Sequence, residues 1–327
     1  MIGSPIIPDA IFEQARSNKA RVFSAHAGDG SSGAERKKGD ILATLQHTPK
    51  FKLDATAPFF AIGSCFARNI ELSLAQQGLH CVTSQCVFPD DYYELRGFGA
   101  RNGALNAYTP GSIMDLIRFA KRSEAETVAL QDVGDGQWAD MLMSGLRLLN
   151  DDEAASARKQ LLQTYRNLPD ARTVIITLGY TESWREKATG MFINRPPAGN
   201  MRLNRRAGHY EFLNMSAEQI LGAVHTSVQE IYQQTEGRAK LILTVSPVPL
   251  ASTFTGQDVI TANDFSKGVL LAAAREVSSA YDFVDYFPSY QYVIHSHPEA
   301  AWDNDGVHVK YSLVNRIMQR FCEMYFD

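Results

Sequence analysis

Short apolar runs rich in β-branched residues alternate with longer helical patterns along most of this chain. The runs of strand length are 59–62, 80–84, 173–178, 241–245 and 283–287, and the helical patterns are 66–78, 111–122, 152–167, 216–235, 262–280 and 311–325. Several of the runs are almost continuously apolar, which is typical of parallel strands buried on both faces. The alternation therefore predicts an α/β fold with a parallel sheet covered by helices on both sides.

Helix-start signals support two of these helices. Ser216 is followed three residues later by Gln219, which is the spacing of a capping box. Asp151 or Asp152 is expected to cap the helix that begins beside it.

Three stretches depart from the alternation. Residues 24–39 are small, polar and glycine-rich, which is typical of a flexible loop. Residues 123–150 and 185–214 have the character of insertions between the regular elements. We expect an N-terminal arm with a flexible loop over 1–50 and one domain over 51–327, with insertions at about 123–150 and 185–214.

Candidate catalytic residues follow the first and the last predicted strand. In an open parallel sheet, ligands bind beyond the carboxyl ends of the strands, and Ser64 lies on the turn after the first one. After the last comes Asp305-Gly306-Val307-His308, in which the carboxylate can orient the imidazole. Because a serine hydroxyl needs a general base, these residues predict Ser64 as nucleophile, His308 as base and Asp305 as orienting residue. A serine at a strand end is also a common helix cap.

Two other chemistries fit parts of the same segments. Cys65 is the alternative nucleophile, since a thiol is more nucleophilic than a hydroxyl and a helix N-terminus lowers its pKa. His295, His297 and Asp303, with the D-x-x-H pair, are residue types that bind zinc, manganese or iron. No second ligand cluster is visible elsewhere in the sequence, so we predict no metal.

The stretch GSCFARNI at 63–70 resembles the signature of the GSCFA family, whose members resemble the SGNH (GDSL-like) hydrolase superfamily. Further blocks resemble that family in the same order: NAYTPGSI (106–113), TLGYTESW (177–184), LTVSPVPLASTF (243–254), NDFSKGVLLAAA (263–274), YFPSYQYV (286–293) and the final DGVH. The resemblance covers the chain from about Phe59 onward. It implies a three-layer α/β/α fold with a flavodoxin-like, five-stranded parallel sheet, and a site in which Ser64, Asp305 and His308 are catalytic.

The sequence departs from the SGNH pattern where the oxyanion hole is expected. SGNH enzymes complete the hole with an Asn side chain, but Thr181 occupies that position here and Glu182 follows it. A hydroxyl donates one hydrogen bond, whereas an ionised carboxylate repels an oxyanion. The expected donors are the amides of Ser64 and Cys65, the hydroxyl of Thr181, and a side-chain amide from Asn106 or Asn102.

The stretch 185–210 of the second insertion suggests how a substrate is held. It contains a local surplus of basic residues that can attract an anionic group, such as the phosphates of an acyl-CoA or an acidic sugar chain, although a solvated flap has the same composition. The basic residues are Arg185, Lys187, Arg195, Arg202, Arg205 and Arg206, against Glu186. The expected substrate-binding residues are Tyr180, Glu182, Trp184, Arg185 and His297.

Composition limits the class of protein. The 327 residues, 45% of them hydrophobic, can bury a sizeable core, and a net charge of −4 gives no basic field for binding nucleic acid. No signal-peptide pattern or membrane-length apolar run is visible, so a cytoplasmic location is expected. The four cysteines form no C-x-x-C pair, which favours reduced thiols.

Taken together, these patterns predict a serine esterase or O-acyltransferase that acts on acyl groups of a carbohydrate or polysaccharide. No cofactor is expected, apart from acyl-CoA as donor if the enzyme is a transferase. The alternatives are a non-catalytic carbohydrate- or nucleotide-binding protein and a metal-dependent hydrolase. The oligomeric state is not predicted.

Overall fold

The computed structural model describes residues 8–18, 20–24, 31–38, 41–95, 103–198 and 200–327. Its helices are α1 (Pro8–Ser17), α2 (Gly33–Lys38), α3 (Cys65–Gln76), α4 (Pro110–Phe119), α5 (Asp151–Arg166), α6 (Met201–Asn204), α7 (Ala217–Gln234), α8 (Val259–Ala280), α9 (Ser289–Ile294), α10 (Pro298–Ala301) and α11 (Tyr311–Tyr325). Its strands are β1 (Phe59–Gly63), β2 (Leu130–Gly134), β3 (Gln137–Asp140), β4 (Thr173–Leu178), β5 (Glu182–Glu186), β6 (Phe192–Ile193), β7 (Tyr210–Asn214), β8 (Lys240–Val245) and β9 (Val284–Tyr286).

The central sheet of the described chain has four parallel strands in the order β1-β4-β8-β9. Every residue of β1 and β4 is buried, because helices cover both faces. Phe60 and Ile62 of β1 belong to one core cluster, whereas Phe59 and Ala61 belong to a second cluster that α3 and α11 cover. This confirms the predicted α/β fold with a parallel sheet and helices on both sides.

The predicted strand at 80–84 is wrong. Residues Val82–Gln85 form a 3-10 turn, and Cys81 makes one isolated parallel bridge to Phe59. The hydroxyl of Ser84 donates to the carbonyl of Cys81 at 2.7 Å, and the Ser84 N–H bonds the same oxygen. A side chain that bonds its own local backbone competes with the strand ladder, which explains why the run leaves the sheet after one residue.

The two predicted insertions carry their own small sheets. β2 and β3 form an antiparallel hairpin within 123–150, and β5, β6 and β7 form an antiparallel sheet over most of 185–214. The hairpin is tied to α5 by a buried ion pair, in which Arg158 donates to both carboxylate oxygens of Asp140 at 2.7 and 2.8 Å. Both side chains are 1% exposed.

The helix caps agree with the sequence at α7 and differ at α5. Ser216 and Gln219 form the predicted capping box of α7. α5 begins one residue earlier than expected, because Asn150 is its cap and Glu153 completes the box. Asp151 and Asp152 instead lie in the first turn, where a carboxylate interacts favourably with the helix dipole.

Part of the predicted loop at 24–39 is helical. Within the predicted loop 24–39, α2 occupies 33–38, while 25–30 and 39–40 lie outside the described residues.

In the described part of the chain, no helix combines the length and the apolar composition needed to cross a membrane.

Candidate functional site

The turn between β1 and α3 holds Ser64 in a buried position. Gly63 has φ +146°, and a Cβ built there would lie 2.4 Å from the carbonyl oxygen of Thr177 on β4, so the turn requires glycine. Ser64 is the N-cap residue of α3, yet its side chain makes no capping bond. Its hydroxyl hydrogen-bonds instead with the hydroxyl of Ser246 at 3.1 Å, directly after β8. Ser64 therefore occupies the capping position of α3, but its hydroxyl does not act as a helix cap.

The arginine of the signature has a structural role. Arg68 donates to the carbonyl of Ala61 at 2.6 Å and pairs with Glu71 at 2.6 Å, both within the protein interior. Glu71 also accepts a hydrogen bond from the hydroxyl of Thr83. Burial raises the pKa of Glu71, and the charge of Arg68 opposes that rise. These contacts fix α3 against β1 and so hold Ser64 in place.

Cys65 lies in an environment that disfavours its thiolate. Burial raises the pKa of the Cys65 thiol, and the nearby Lys267 only partly offsets this. Because the thiolate is the reactive form, a thiol with a raised pKa is a poor nucleophile at neutral pH. The environment favours Ser64 over Cys65 as the reacting residue.

Lys267 is a buried cation that sequence reasoning did not single out. Its ammonium donates to the carbonyls of Gly179, after β4, and Val248, after β8, at 2.7 and 2.6 Å. Burial lowers its pKa to about 7. The sequence contained a signal, since Lys267 shares the buried stripe of α8 with Leu270 and Ala274 at helical spacing.

Thr181 and Glu182 are engaged in holding loops rather than in a free oxyanion hole. The hydroxyl of Thr181 donates to Asn214 Oδ1 at 2.7 Å, so its one proton is already used. Glu182 accepts hydrogen bonds from the hydroxyl of Thr253 at 2.5 Å and from the N–H of Phe254 at 2.7 Å. The structure thus gives neither residue the predicted role of oxyanion donor or substrate contact.

Asn106 is a predicted side-chain oxyanion donor that lies beside the turn. It forms a parallel bridge with Gly63, and the next residue, Ala107, donates its N–H to the Gly63 carbonyl at 2.9 Å. Its Nδ2 donates to the Tyr108 hydroxyl at 2.9 Å, while its buried Oδ1 has no hydrogen-bond partner among the described residues. Asn102, the other predicted amide, lies outside the described residues.

The acid–histidine pair predicted from D-x-x-H is present. His308 Nδ1 lies 2.6 Å from Asp305 Oδ2, and Asp305 Oδ1 accepts the N–H groups of Val307 and His308 at 2.9 Å. The hydrogen bond from the imidazole is the main cause that lowers the pKa of Asp305. Because an ionised carboxylate only accepts, Nδ1 carries the proton and Nε2 is the free acceptor.

The pair and Ser64 are not hydrogen-bonded to each other. The side chains of His308 and Asp305 are 60% and 49% exposed, and in the described part of the chain no hydrogen bond joins His308 to Ser64. α11, which begins three residues after His308, packs against α3, the helix that Ser64 begins.

Among the predicted substrate residues, Tyr180 and Trp184 pack against other aromatic rings, whereas His297 lies on the surface. Trp184 packs against Phe212 and Phe254, and its buried Nε1 has no partner in the described part of the chain. Tyr180 stacks on Tyr108 with ring centroids 5.2 Å apart. His297, by contrast, is exposed at the start of α10.

The basic insertion is largely neutralised by its neighbours. Arg185 donates to Glu211 at 2.7 Å, and Arg202 pairs with Asp135 at 2.9 Å. Arg195 is buried and bonds Glu94 at 2.6 Å. Three of the six basic residues in the insertion therefore pair with carboxylates, which reduces the expected surplus of positive charge.

The chain was compared with known families and with curated proteins. The model of the GSCFA family matches residues 58–321. A search of curated proteins gave no match. Among the described residues, no group of three or more His, Cys, Asp or Glu side chains is arranged to hold a metal ion.

Proposed function

The chain belongs to the GSCFA family, and we propose that it is an SGNH-like serine esterase or O-acyltransferase that forms an acyl-enzyme on Ser64. One observation carries the proposal: the buried serine of the signature turn does not cap its helix, although it occupies the capping position. A hydroxyl that contributes nothing to the helix start, on a turn that only glycine can form, is better explained by chemistry than by stability.

The fold of an SGNH hydrolase is part of the same proposal. Cys81 forms an isolated parallel bridge with Phe59 along one side of β1, and β4 pairs with the other side of β1. With the segment at Cys81 as an additional strand position beyond β1, the order becomes that of a flavodoxin-like sheet. The ligand site of such a sheet lies at the carboxyl ends of its strands, where Ser64 and Ser246 meet.

The reaction uses the hydroxyl of Ser64 and the free nitrogen of His308. Ser64 Oγ attacks the ester or thioester carbonyl while His308 Nε2 takes its proton, and the leaving alcohol or thiol receives that proton as the tetrahedral intermediate collapses. Asp305 keeps the proton on Nδ1 and stabilises the imidazolium. Water or a sugar hydroxyl then attacks the acyl-Ser64 carbonyl by the same steps, which gives hydrolysis or transfer.

This mechanism requires Ser64 Oγ to leave Ser246 and approach His308 Nε2 when substrate binds. Catalytic hydrogen bonds often tighten only in the substrate complex. The exposed imidazole has room to move, since its only hydrogen-bonding side-chain partner in the described residues is Asp305.

The oxyanion would be stabilised from two directions. The amides at the start of α3 provide backbone donors and the positive end of the helix dipole. Asn106 lies beside Gly63, and its amide replaces the Asn that SGNH enzymes carry at the position of Thr181. The charge of Lys267, where it is protonated, favours negative charge in the same region, as its effect on the Cys65 pKa indicates.

A carbohydrate ester fits the residues after β4 and β8. The cluster of Trp184, Phe212 and Phe254 offers ring faces, and Phe254 is 47% exposed. Aromatic rings with exposed faces pack against sugars and against acyl chains. In the transferase form of the reaction, acyl-CoA is the expected donor.

Labelling with a fluorophosphonate tests the nucleophile. We expect the wild type and Cys65→Ala to be labelled and to hydrolyse short-chain p-nitrophenyl esters, whereas Ser64→Ala does neither. Circular dichroism confirms that each variant is folded. Label on Cys65 would refute Ser64 as the nucleophile. No label together with no ester turnover in the folded wild type would refute the proposal and favour a non-catalytic binding protein.

A further inference from the structure

A cleft of about 720 Å³ lies between the N-terminal arm and the central domain. One wall comes from described residues of the arm, at 18, 20, 23, 33, 36–37 and 43–48, and the other comes from α8, β9 and α9. We call it the arm cleft. Its volume is within the range of sites that bind small molecules.

The described residues that line the arm cleft include cations and no carboxylate. The cations are Arg36, Lys37 and Arg275, with His295 beside them, and none of the described lining residues is Asp or Glu. Elsewhere on this protein, arginines such as Arg147 are paired with carboxylates. A group of basic side chains without acids in the same wall creates a local positive potential.

The hydrogen bonds of these cations leave their charge uncompensated. Arg36 donates to the backbone carbonyls of Ser31, Thr44 and Ala20, which are neutral. Lys37 lies over the ring of Phe23, 6.0 Å from its centroid. Arg275 likewise lies over the ring of Tyr286, at 5.7 Å. Rings and carbonyls orient a cation but do not cancel its charge.

Asp285 on β9 is a buried acid whose carboxylate has its own hydrogen-bond donors. Asp285 accepts hydrogen bonds from the Tyr325 hydroxyl at 2.7 Å and from the N–H of Lys50 at 3.0 Å. It also lies 3.6 Å from His47, a lining residue whose imidazole contacts Tyr325 as well. The carboxylate of Asp285 is therefore stabilised by these donors, and none of its described contacts joins it to Arg36, Lys37 or Arg275.

His295 reports the resulting field. Its pKa is lowered first by burial and then by the charge of Lys37. A bound anion would offset both effects and raise that pKa.

We propose that the arm cleft binds a small molecule through a phosphate or polyphosphate group. Three permanent cations match a ligand charge of about −2 to −3, whereas one carboxylate would leave most of their mutual repulsion in place. Arginine is the side chain best suited to a phosphate, because its planar fork donates two parallel hydrogen bonds.

This site is separate from the turn that carries Ser64. β9 contributes Tyr286 to the cleft and lies three strand spacings from β1, or about 14 Å across the sheet. The inference does not depend on the proposed esterase activity, and Ser64→Ala is expected to bind the same ligand with unchanged affinity.

Calorimetric titration of the full chain with inorganic pyrophosphate tests the site. We expect binding that weakens roughly tenfold in Arg275→Ala and is partly retained in Arg275→Lys. Arg238→Ala is the matched control, because Arg238 is a partly exposed arginine paired with Glu236 away from the cleft. Its affinity for pyrophosphate should equal that of the wild type.

NMR titration of His295 gives a second readout that does not depend on the variants folding equally well. Saturating pyrophosphate should raise the His295 pKa, and glucuronate, a carboxylate probe, should bind more weakly. The proposal is overturned by no binding of pyrophosphate, by equal losses in Arg275→Ala and Arg238→Ala, or by tighter binding of glucuronate than of pyrophosphate.

Discussion

Lys267 makes a prediction about how stability changes with pH. The structure lowers its pKa from 10.5 to about 7, because the ammonium is buried. An unfolded chain keeps this lysine protonated up to about pH 10, whereas the folded chain loses the proton near pH 7. Between these values the unfolded state binds more protons, so the free energy of unfolding rises with pH.

The size of the effect follows from the two pKa values. Neutralising the lysine on folding costs about 4 kcal/mol at pH 7 and about 2 kcal/mol at pH 9. Wild-type stability should therefore gain about 2 kcal/mol over this range from Lys267 alone. Lys267→Met abolishes that gain, although it leaves the carbonyls of Gly179 and Val248 without a donor, at a cost of about 1–3 kcal/mol each.

Urea denaturation at pH 7, 8 and 9 checks the reasoning. At pH 7, Lys267→Met loses two hydrogen bonds but also avoids the cost of neutralising the lysine. These two effects nearly cancel, so the free energies of unfolding of the variant and the wild type should be close. At pH 9 the cost of neutralisation is smaller, and the wild type should be more stable by about 2 kcal/mol. Lys159→Met, at an exposed lysine of α5, is the control and should follow wild type. Burial raises the pKa of the nearby Cys65 thiol, which shifts its ionisation toward higher pH. Identical pH dependence in wild type and Lys267→Met would refute the argument.

Four further substitutions have defined expectations. Gly63→Ala should lower the free energy of unfolding by more than about 3 kcal/mol, because its Cβ overlaps the backbone of β4; Gly222→Ala, in open space on α7, should instead stabilise by about 0.5–1 kcal/mol in the same urea assay. Arg158→Ala strands the buried carboxylate of Asp140 and should cost about 3–5 kcal/mol by thermal or urea unfolding, an expectation that a loss below about 1 kcal/mol contradicts. Asp305→Asn should reduce kcat for p-nitrophenyl ester hydrolysis by about two to four orders of magnitude without changing thermal stability, and unchanged kcat would remove Asp305 from the mechanism.

Patterns of local origin were predictable from the sequence. The helix at 311–325 was predicted with its observed bounds, and the capping box of Ser216 was predicted residue by residue, since both depend on spacing along the chain. The pairing of Asp305 with His308 was predictable for the same reason. The run at 80–84 failed because Ser84 bonds the local backbone, a competition that hydropathy alone does not reveal.

Roles that depend on distant partners were not predictable. Thr181 was assigned to an oxyanion hole because it occupies the Asn position of the SGNH pattern, but its hydroxyl donates to Asn214, at the end of an insertion strand. Helical spacing could place Lys267 on the buried stripe of α8, but it could not identify the partners of its ammonium, which are loop carbonyls after β4 and β8. In both cases the partner comes from another part of the chain, and no spacing rule connects them.

The open side of β1 bears on the solubility of the protein. β1 is continuously apolar and has β4 on one side only, so its other side would offer unpaired backbone groups to a second chain. Loop segments use those groups: the N–H of Phe59 bonds the carbonyl of His80, the N–H of Ala61 bonds the Thr83 hydroxyl, and the carbonyl of Gly63 accepts from Ala107. These segments thus also protect the sheet from edge-to-edge aggregation, and substitutions at Thr83 are expected to increase aggregation as well as to weaken the contacts of Glu71.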